Sequence, residues 1–259
     1  MIPIKSASEI DGMRAACAAA AATLAEVAAL VQPGRTTGEL NEAAGEFIKK
    51  CGGKSPFLGY KGYPGQICVS VNEEVVHGIP GKRRVQYGDI VSLDVGIILD
   101  GFVGDNATTV AVGVIAPRTQ ELLRVTEAAL QAGIGQARAG HRVGDISHAV
   151  QSAVEANGFS VVREFVGHGV GRKMHEEPQI PNYGRAGEGP KLKPGMTLAI
   201  EPMINAGVSE VKMLSDGWTV VTADGAPSAH FEHTVLVTES EPEILTWRKK
   251  SPYELKAQS

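Results

Sequence analysis

Ile90-Val91-Ser92-Leu93-Asp94-Val95-Gly96-Ile97-Ile98-Leu99-Asp100-Gly101-Phe102-Val103-Gly104-Asp105-Asn106-Ala107 decides how this chain folds. Two runs rich in β-branched residues, Ile90 to Leu99 and Phe102 to Val112, flank Asp100-Gly101, a dipeptide that favours a two-residue hairpin turn. With that turn, Asp94 stands opposite Ala107 and Asp105 opposite Gly96. Both carboxylates then point to one face as diagonal neighbours, about 7 Å apart at the backbone. The neighbours of Asp94 are residues that bury themselves, and a buried carboxylate needs a partner. Two such charges raise each other's pKa unless a cation lies between them, and a shared divalent ion removes the conflict.

Further strands are expected at Ile67 to Val71, Thr197 to Ile204, Trp218 to Val221 and His233 to Val237. Ser6 with Glu9, and Thr36 with Glu39, have the spacing of capping boxes. The first helix they start runs through the alanine-rich stretch to Pro33-Gly34, the second to Gly52-Gly53, where glycine offers the left-handed conformation that helix ends favour. Ala139 to Ile146 resembles Pro33 to Leu40 at a constant offset of 106 residues, with Gly34/Gly140, Gly38/Gly144, Ala43/Ala149 and Gly52/Gly158 identical. Each copy follows a long helical pattern, Ser6 to Val31 and Arg118 to Arg138. The expectation is an α+β fold with an antiparallel sheet, a single catalytic domain over 1–259 made of two related halves, roughly 1–115 and 116–245. Sites belong at their junction, and no Pro/Ser-rich linker separates them.

The 259 residues, 43% hydrophobic and 21% charged, suffice for a large core, and the net charge of -4 argues against a nucleic-acid backbone as main partner. Cys17, Cys51 and Cys68 have no CxxC spacing, so neither a disulfide framework nor a thiolate zinc site is indicated, and a reducing compartment is expected. Ala15 to Val31 is built from alanine and carries Glu26, which makes it an ordinary helix and not a membrane span.

The second half supplies more candidates. His168 lies in Gly167-His168-Gly169-Val170-Gly171, Glu201 in Leu198-Ala199-Ile200-Glu201-Pro202, and Glu232 in Phe231-Glu232-His233-Thr234-Val235. Taken alone, His168 is a loop histidine as easily as a ligand, and Glu201 and Glu232 are each a strand-edge charge as easily as a ligand. Together, four carboxylates match the charge of two divalent cations, and one neutral imidazole adds a nitrogen ligand. Such oxygen-dominated ligation suits Mn(II), Fe(II) or Co(II) and tolerates Zn(II), so metal identity stays open. Two metals about 3.5–4 Å apart activate water and polarise a carbonyl, which is hydrolysis without a covalent intermediate.

Val76-His77-Gly78-Ile79-Pro80, the Asp94–Asp105 pair, Gly167 to Gly171, His175-Glu176-Glu177-Pro178, Ile200-Glu201-Pro202 and Phe231-Glu232-His233-Thr234 together resemble type I methionine aminopeptidases of the bacterial kind, which have no N-terminal extension. The resemblance spans essentially the whole chain. It implies the pita-bread fold and removal of the initiator methionine from nascent proteins when the second residue is small and uncharged. It implies metal ligation by Asp94, Asp105, His168, Glu201 and Glu232, with Asp105 and Glu232 bridging two ions and Glu201 acting as general base. It further implies that His175 contacts the scissile amide and its developing oxyanion, and that His77 contacts the substrate just beyond the cleaved bond. The methionine pocket would involve Tyr60, Tyr63, Cys68 and Trp218, with Phe57 at its rim, where relatives often have cysteine. Met174 replaces the aromatic expected before His175. Some relatives also hold a monovalent cation, here near Asn72 and Ser228, whereas His141, His148 and His230 have no role in the pattern and read as solvated or capping.

What the resemblance implies for partners is nascent-chain N-termini, transient ribosome contact, no membrane, a cytoplasmic location and a monomeric state. Rival expectations are a proline-directed aminopeptidase or dipeptidase of the same fold, disfavoured by the early first helix and the aromatic pocket, and a non-catalytic binding protein, disfavoured by the complete ligand set.

Overall fold

The computed structural model describes residues 2–247; Met1 and residues 248–259 of the expected domain lie outside them. Four helices form, α1 Ala7–Ala29, α2 Thr37–Lys50, α3 Pro117–Ile134 and α4 Val143–Glu155. Both capping boxes are made. The Ser6 hydroxyl accepts from the Glu9 N–H at 3.4 Å while Glu9 accepts from the Ser6 N–H at 3.0 Å, and Thr36 and Glu39 do the same at 3.1 and 2.7 Å. Helix α2 ends on Gly52 at φ +79°.

The strands are β1 Cys68–Val71, β2 Glu74–Val76, β3 Ile90–Leu99, β4 Phe102–Ala111, β5 Ser160–Val161, β6 Gly167–Gly169, β7 Glu176–Ile180, β8 Thr197–Ile200, β9 Met203–Asn205, β10 Val211–Met213, β11 Val220–Thr222, β12 Ser228–His230, β13 Glu232–Leu236 and β14 Glu243–Ile244. The main antiparallel sheet runs β1-β3-β4-β13-β8-β6-β7, with β14 added beside β13. Its order is a palindrome about the seam between β4 and β13: β4 answers β13, β3 answers β8, and β1 answers β6. The expected continuous strand Thr197 to Ile204 is instead two strands. Pro202 lacks an N–H to continue the ladder, and the chain leaves β8 in the main sheet for β9 in a small one with β12 and β5.

The repeat in the sequence corresponds to repeated bonding. Gly34, Thr37 and Gly38 donate their N–H groups to Val85, Arg83 and Gly81 carbonyls at 2.8, 2.9 and 2.8 Å. Their counterparts Gly140, Val143 and Gly144 donate to Leu192, Pro190 and Glu188 at 3.1, 3.0 and 3.0 Å. Gly34 and Gly140 share nearly the same φ, +89° and +90°, a conformation open to glycine. The fold is thus α+β, a curved sheet with two pseudo-symmetric halves covered by helices: α1 across β3 and β4, α3 against α4 over the second half.

Each half has its own apolar core, one including Leu24, Leu40, Val91 and Leu93, the other Leu122, Leu130, Ile146 and Leu198. At Gly104, β4 touches the α1 backbone, since a Cβ there would lie 2.4 Å from the Ala16 carbonyl. Backbone cannot give way as a flexible side chain does. Gly104→Ala should therefore cost about 3 kcal/mol, the top of the range for overpacking, read as a lower urea midpoint at unchanged slope.

Candidate metal centre and substrate cleft

The hairpin register is the one expected: Asp94 faces Ala107 and Asp105 faces Gly96. On the far side of β4, Glu232 also pairs with Ala107, so Asp94 and Glu232 flank one small residue across three strands. Glu201 follows the last residue of β8, where Ile200 pairs with His233. His168 on β6 lies beside β8 at Ala199. Asp105, His168 and Glu232 each present one potential ligand atom, all within 4.8 Å of one another.

His168 Nε2 lies 3.3 Å from Glu201 Oε1 and 3.7 Å from Asp105 Oδ2. Its Nδ1 is 3.0 Å from the Gly169 carbonyl, which can only accept, so Nδ1 carries the proton and Nε2 turns its lone pair to the carboxylates. Burial lowers the His168 pKa to about 4, so the ring is neutral at neutral pH. The acids are pushed the other way. Burial raises Asp94 to about 7 and lifts Asp105, Glu201 and Glu232 well above the usual carboxylate range, with mutual repulsion adding to the last three. Among the described residues no lysine or arginine belongs to the groups that shift them.

Among the described residues, the buried atoms Asp94 Oδ1, Asp105 Oδ1 and Glu232 Oε1 have no hydrogen-bond partner. Unpaired buried carboxylate oxygens are costly, and four acids beside one imidazole lone pair is the donor set of a hard-to-borderline divalent cation. The residues fit a metal centre.

These groups floor a cleft of about 800 Å³ lined by all twelve residues expected at the site, Phe57, Tyr60, Tyr63, Cys68, His77, Asp94, Asp105, His168, His175, Glu201, Trp218 and Glu232. Tyr63 is fixed by its hydroxyl, which lies 2.9 Å from the Gly78 carbonyl and 3.2 Å from that of Ile67, and packs edge-on against Trp218 with ring centroids 5.0 Å apart. Phe57, Tyr63 and Cys68 form a small buried cluster joined by Met174 and Trp218. Phe57 closes over Gly96, where a Cβ would come within 3.0 Å of its ring.

His77 has φ +58°, a conformation few residues other than glycine adopt, and its ring lies edge-on to Phe165 and Trp218. His175 stacks edge-on to His168 at 4.5 Å and reaches Tyr60 Oη at 3.5 Å through Nδ1. Burial lowers the pKa of both His77, to about 4, and His175, where Lys61 adds to the effect.

One expectation is corrected. His230 is neither solvated nor capping: it is 2% exposed, and its Nε2 lies 3.8 Å from Glu201 Oε2 with no hydrogen-bond partner among the described residues. The signal was present, because His230 and Glu232 are two apart in a nearly continuous extended stretch and so share a face. His148 is exposed and His141 half-buried, the latter with a buried Nδ1 that lacks a partner. Phe165 and Pro3 also line the cleft without having been anticipated. Asn72 and Ser228 do meet, the Ser228 N–H donating to the Asn72 carbonyl at 2.9 Å, while the Ser228 hydroxyl turns to Asn205.

The model of metallopeptidase family M24 matches residues 11–239, and the chain belongs to that family. It is 53% identical to methionine aminopeptidase 1 of Bacillus subtilis, covering 95% of this chain and 99% of that protein, and 44% identical to methionine aminopeptidase 1 of Mycobacterium tuberculosis over 95% of each. The crystal structure of methionine aminopeptidase from Thermotoga maritima superposes with a TM-score of 0.94 at 51% identity, covering 96% of this chain and 100% of that one. Within the family, then, the chain falls among the methionine aminopeptidases. Prolidase from Pyrococcus furiosus, 21% identical with a TM-score of 0.77, shares the fold, and this chain spans 66% of its length. Among the described residues no helix is long and apolar enough to cross a membrane.

Proposed function

We propose that the chain removes the N-terminal methionine from nascent proteins whose second residue is small and uncharged, holding two divalent cations on Asp94, Asp105, His168, Glu201 and Glu232. The observation that carries this reading is the convergence of four unneutralised carboxylates, Asp105 and Glu232 buried and Asp94 and Glu201 half-buried, with one free imidazole lone pair beneath an aromatic, thiol-lined pocket. Divalent cations held there supply Lewis acidity, which acidifies water and polarises a carbonyl.

The side chains supply the rest. Glu201, flanked by His168 at 3.3 Å and His230 at 3.8 Å, is placed to take a proton from the attacking water and return it to the leaving amine. His175 is neutral, and a Tyr60 hydroxyl donating to its Nδ1 leaves the Nε2 proton for the oxygen that gains charge at the scissile carbonyl. His77, also neutral, stands at the side of the cleft next to Phe165 and Trp218, suited to the amide beyond the cleaved bond. Tyr63, Cys68, Phe57, Trp218 and Met174 form a wall of polarisable atoms for a thioether, where shape does most of the selecting.

The three cysteines are unpaired, which suits a reducing cytoplasm, and we take the working unit to be a monomer meeting nascent chains at the ribosome. The proline-directed alternative is separated by substrate choice. With manganese, Met-Ala-Ser should release methionine at least about a hundredfold faster than Ala-Pro peptides are cleaved. Equal or reversed rates would assign the cleft to Xaa-Pro substrates.

A further inference from the structure

We propose that the N-terminal arm, residues 2–5, is a strap that positions His175 through the buried ion pair Lys5–Glu176. The inference deepens the reading above and rests on the role given there to His175.

The arm crosses between the two halves. Ile2 packs against the core of the second half, Pro3 lines the cleft, and the Lys5 N–H donates to the Gly195 carbonyl at 2.8 Å. The next residue, Ser6, caps α1, which lies on β3 and β4 of the first half. Lys5 Nζ then meets Glu176 Oε2 at 2.6 Å, with side chains 6% and 10% exposed. Among the described residues, each other Lys or Arg paired with a carboxylate has a partner, or is itself, more than a third exposed. Burying two charges carries a desolvation cost that a surface pair avoids, and its best-attested return is a fixed geometry.

What is fixed is the loop that carries His175. The second oxygen of Glu176 accepts from the Lys173 N–H at 3.2 Å, and Gly171 donates to the Lys173 carbonyl at 3.1 Å, so residues 171–176 fold around this one carboxylate. Gly171 leaves room for it, since a Cβ there would lie 2.7 Å from both Lys5 Cε and Glu176 Oε1. By contrast the hydrogen bond on the His175 ring is a long one, 3.5 Å to Tyr60. Loop position, more than side-chain bonding, therefore decides where the imidazole sits. Loss of either charge leaves the other buried and unpaired, which draws in water and shifts the loop.

The test is a double-mutant cycle on the full-length chain saturated with manganese, using Met-Ala-Ser and reading kcat, KM and Tm. Lys5→Met and Glu176→Gln are each made alone and with His175→Ala. Each should lower kcat about tenfold with KM within about twofold, since small misplacements of a reacting group act mainly on rate. In the His175→Ala background neither should lower kcat further, while the loss of Tm stays the same in both backgrounds. In metal-free protein the imidazole NMR signals of His175 and His168 should move and that of His141 should not. Additive losses in the His175→Ala background, or full kcat in either folded variant, would overturn the strap while leaving the role of His175 intact. Full kcat in His175→Ala itself would remove that role and the strap with it. Glu176→Gln keeps an acceptor for the Lys173 N–H, so it serves if Lys5→Met does not fold.

Discussion

Asp105→Asn should abolish metal-dependent release of methionine and at the same time stabilise the metal-free protein. The loss of activity should exceed the roughly 10- to 100-fold that removing an outer partner of a metal site costs, because Asp105 lies inside the ligand cluster. Asp105 sits 2% exposed on β4 with Oδ1 unpartnered, within reach of both His168 and Glu232. An amide keeps its shape and removes its charge, so a centre that draws its cations by negative oxygens loses them. The stability change has the opposite sign for the same reason. Without cations, Asp105 is held against desolvation and the Asp94 charge, and its neutral replacement relieves both. Thermal unfolding in chelator at about pH 8 should show a higher Tm for the variant than for the parent, and calorimetric titration should show weakened manganese binding. A variant that keeps its activity, or whose metal-free form is less stable, would contradict the reading.

The second large effect is on stability against pH. In the metal-free protein the four acids have folded-state pKa values above their unfolded ones, so the native chain holds protons that the unfolded chain has released. Stability from this source is fully present below about pH 4 and is lost as pH rises through the folded values, about 7 for Asp94 and well above the ordinary carboxylate range for the others. The histidines of the cleft act oppositely: His77 and His168 are lowered to about 4 and His230 to about 3, so their effect is complete about one pH unit above the ordinary 6.5. Between about pH 7.5 and 9 the acids still change, joined toward the upper end by the buried thiols of Cys17 and Cys68, whose raised values act in the same direction, and Tm in chelator should fall. Each proton still held is worth about 1.4 kcal/mol per pH unit, or about 3 °C per unit for a chain of this size. With saturating manganese the slope should flatten or reverse, because metal binding needs the ionised forms. A Tm in chelator that rises over this range would show the acids to be ionised and otherwise compensated.

Legibility in the sequence tracked the distance over which the physics acts. Asp100-Gly101 set the hairpin register by local turn geometry, so the placing of Asp94 opposite Ala107 followed from adjacent residues alone. Capping boxes are three-residue events and were equally readable. The offset repeat carried the pseudo-symmetry because glycines at helix entries and exits answer to backbone conformation, not to distant packing. The strand break at Glu201-Pro202 was legible in principle, since proline cannot donate to the ladder, and the alternation His230-Phe231-Glu232 likewise pointed the histidine to the site. Lys5 and Glu176, by contrast, are 171 residues apart. Nothing local marks either as the other's partner, and only the meeting of the two halves creates the pair. The same holds for Phe165 and Pro3, whose place at the cleft is a product of tertiary assembly.

The seam of the palindrome is narrow. Where β3 and β4 are laddered along their full length, β4 and β13 are joined by Glu232 opposite Ala107 and His233 opposite Asn106. Asp105 and Glu232 stand on opposite banks of that short join, so any cation they share, when bound, doubles as a rivet between the halves. Chelation should then be felt as architecture and not only as chemistry, with amide exchange quickening first in the strands on either bank.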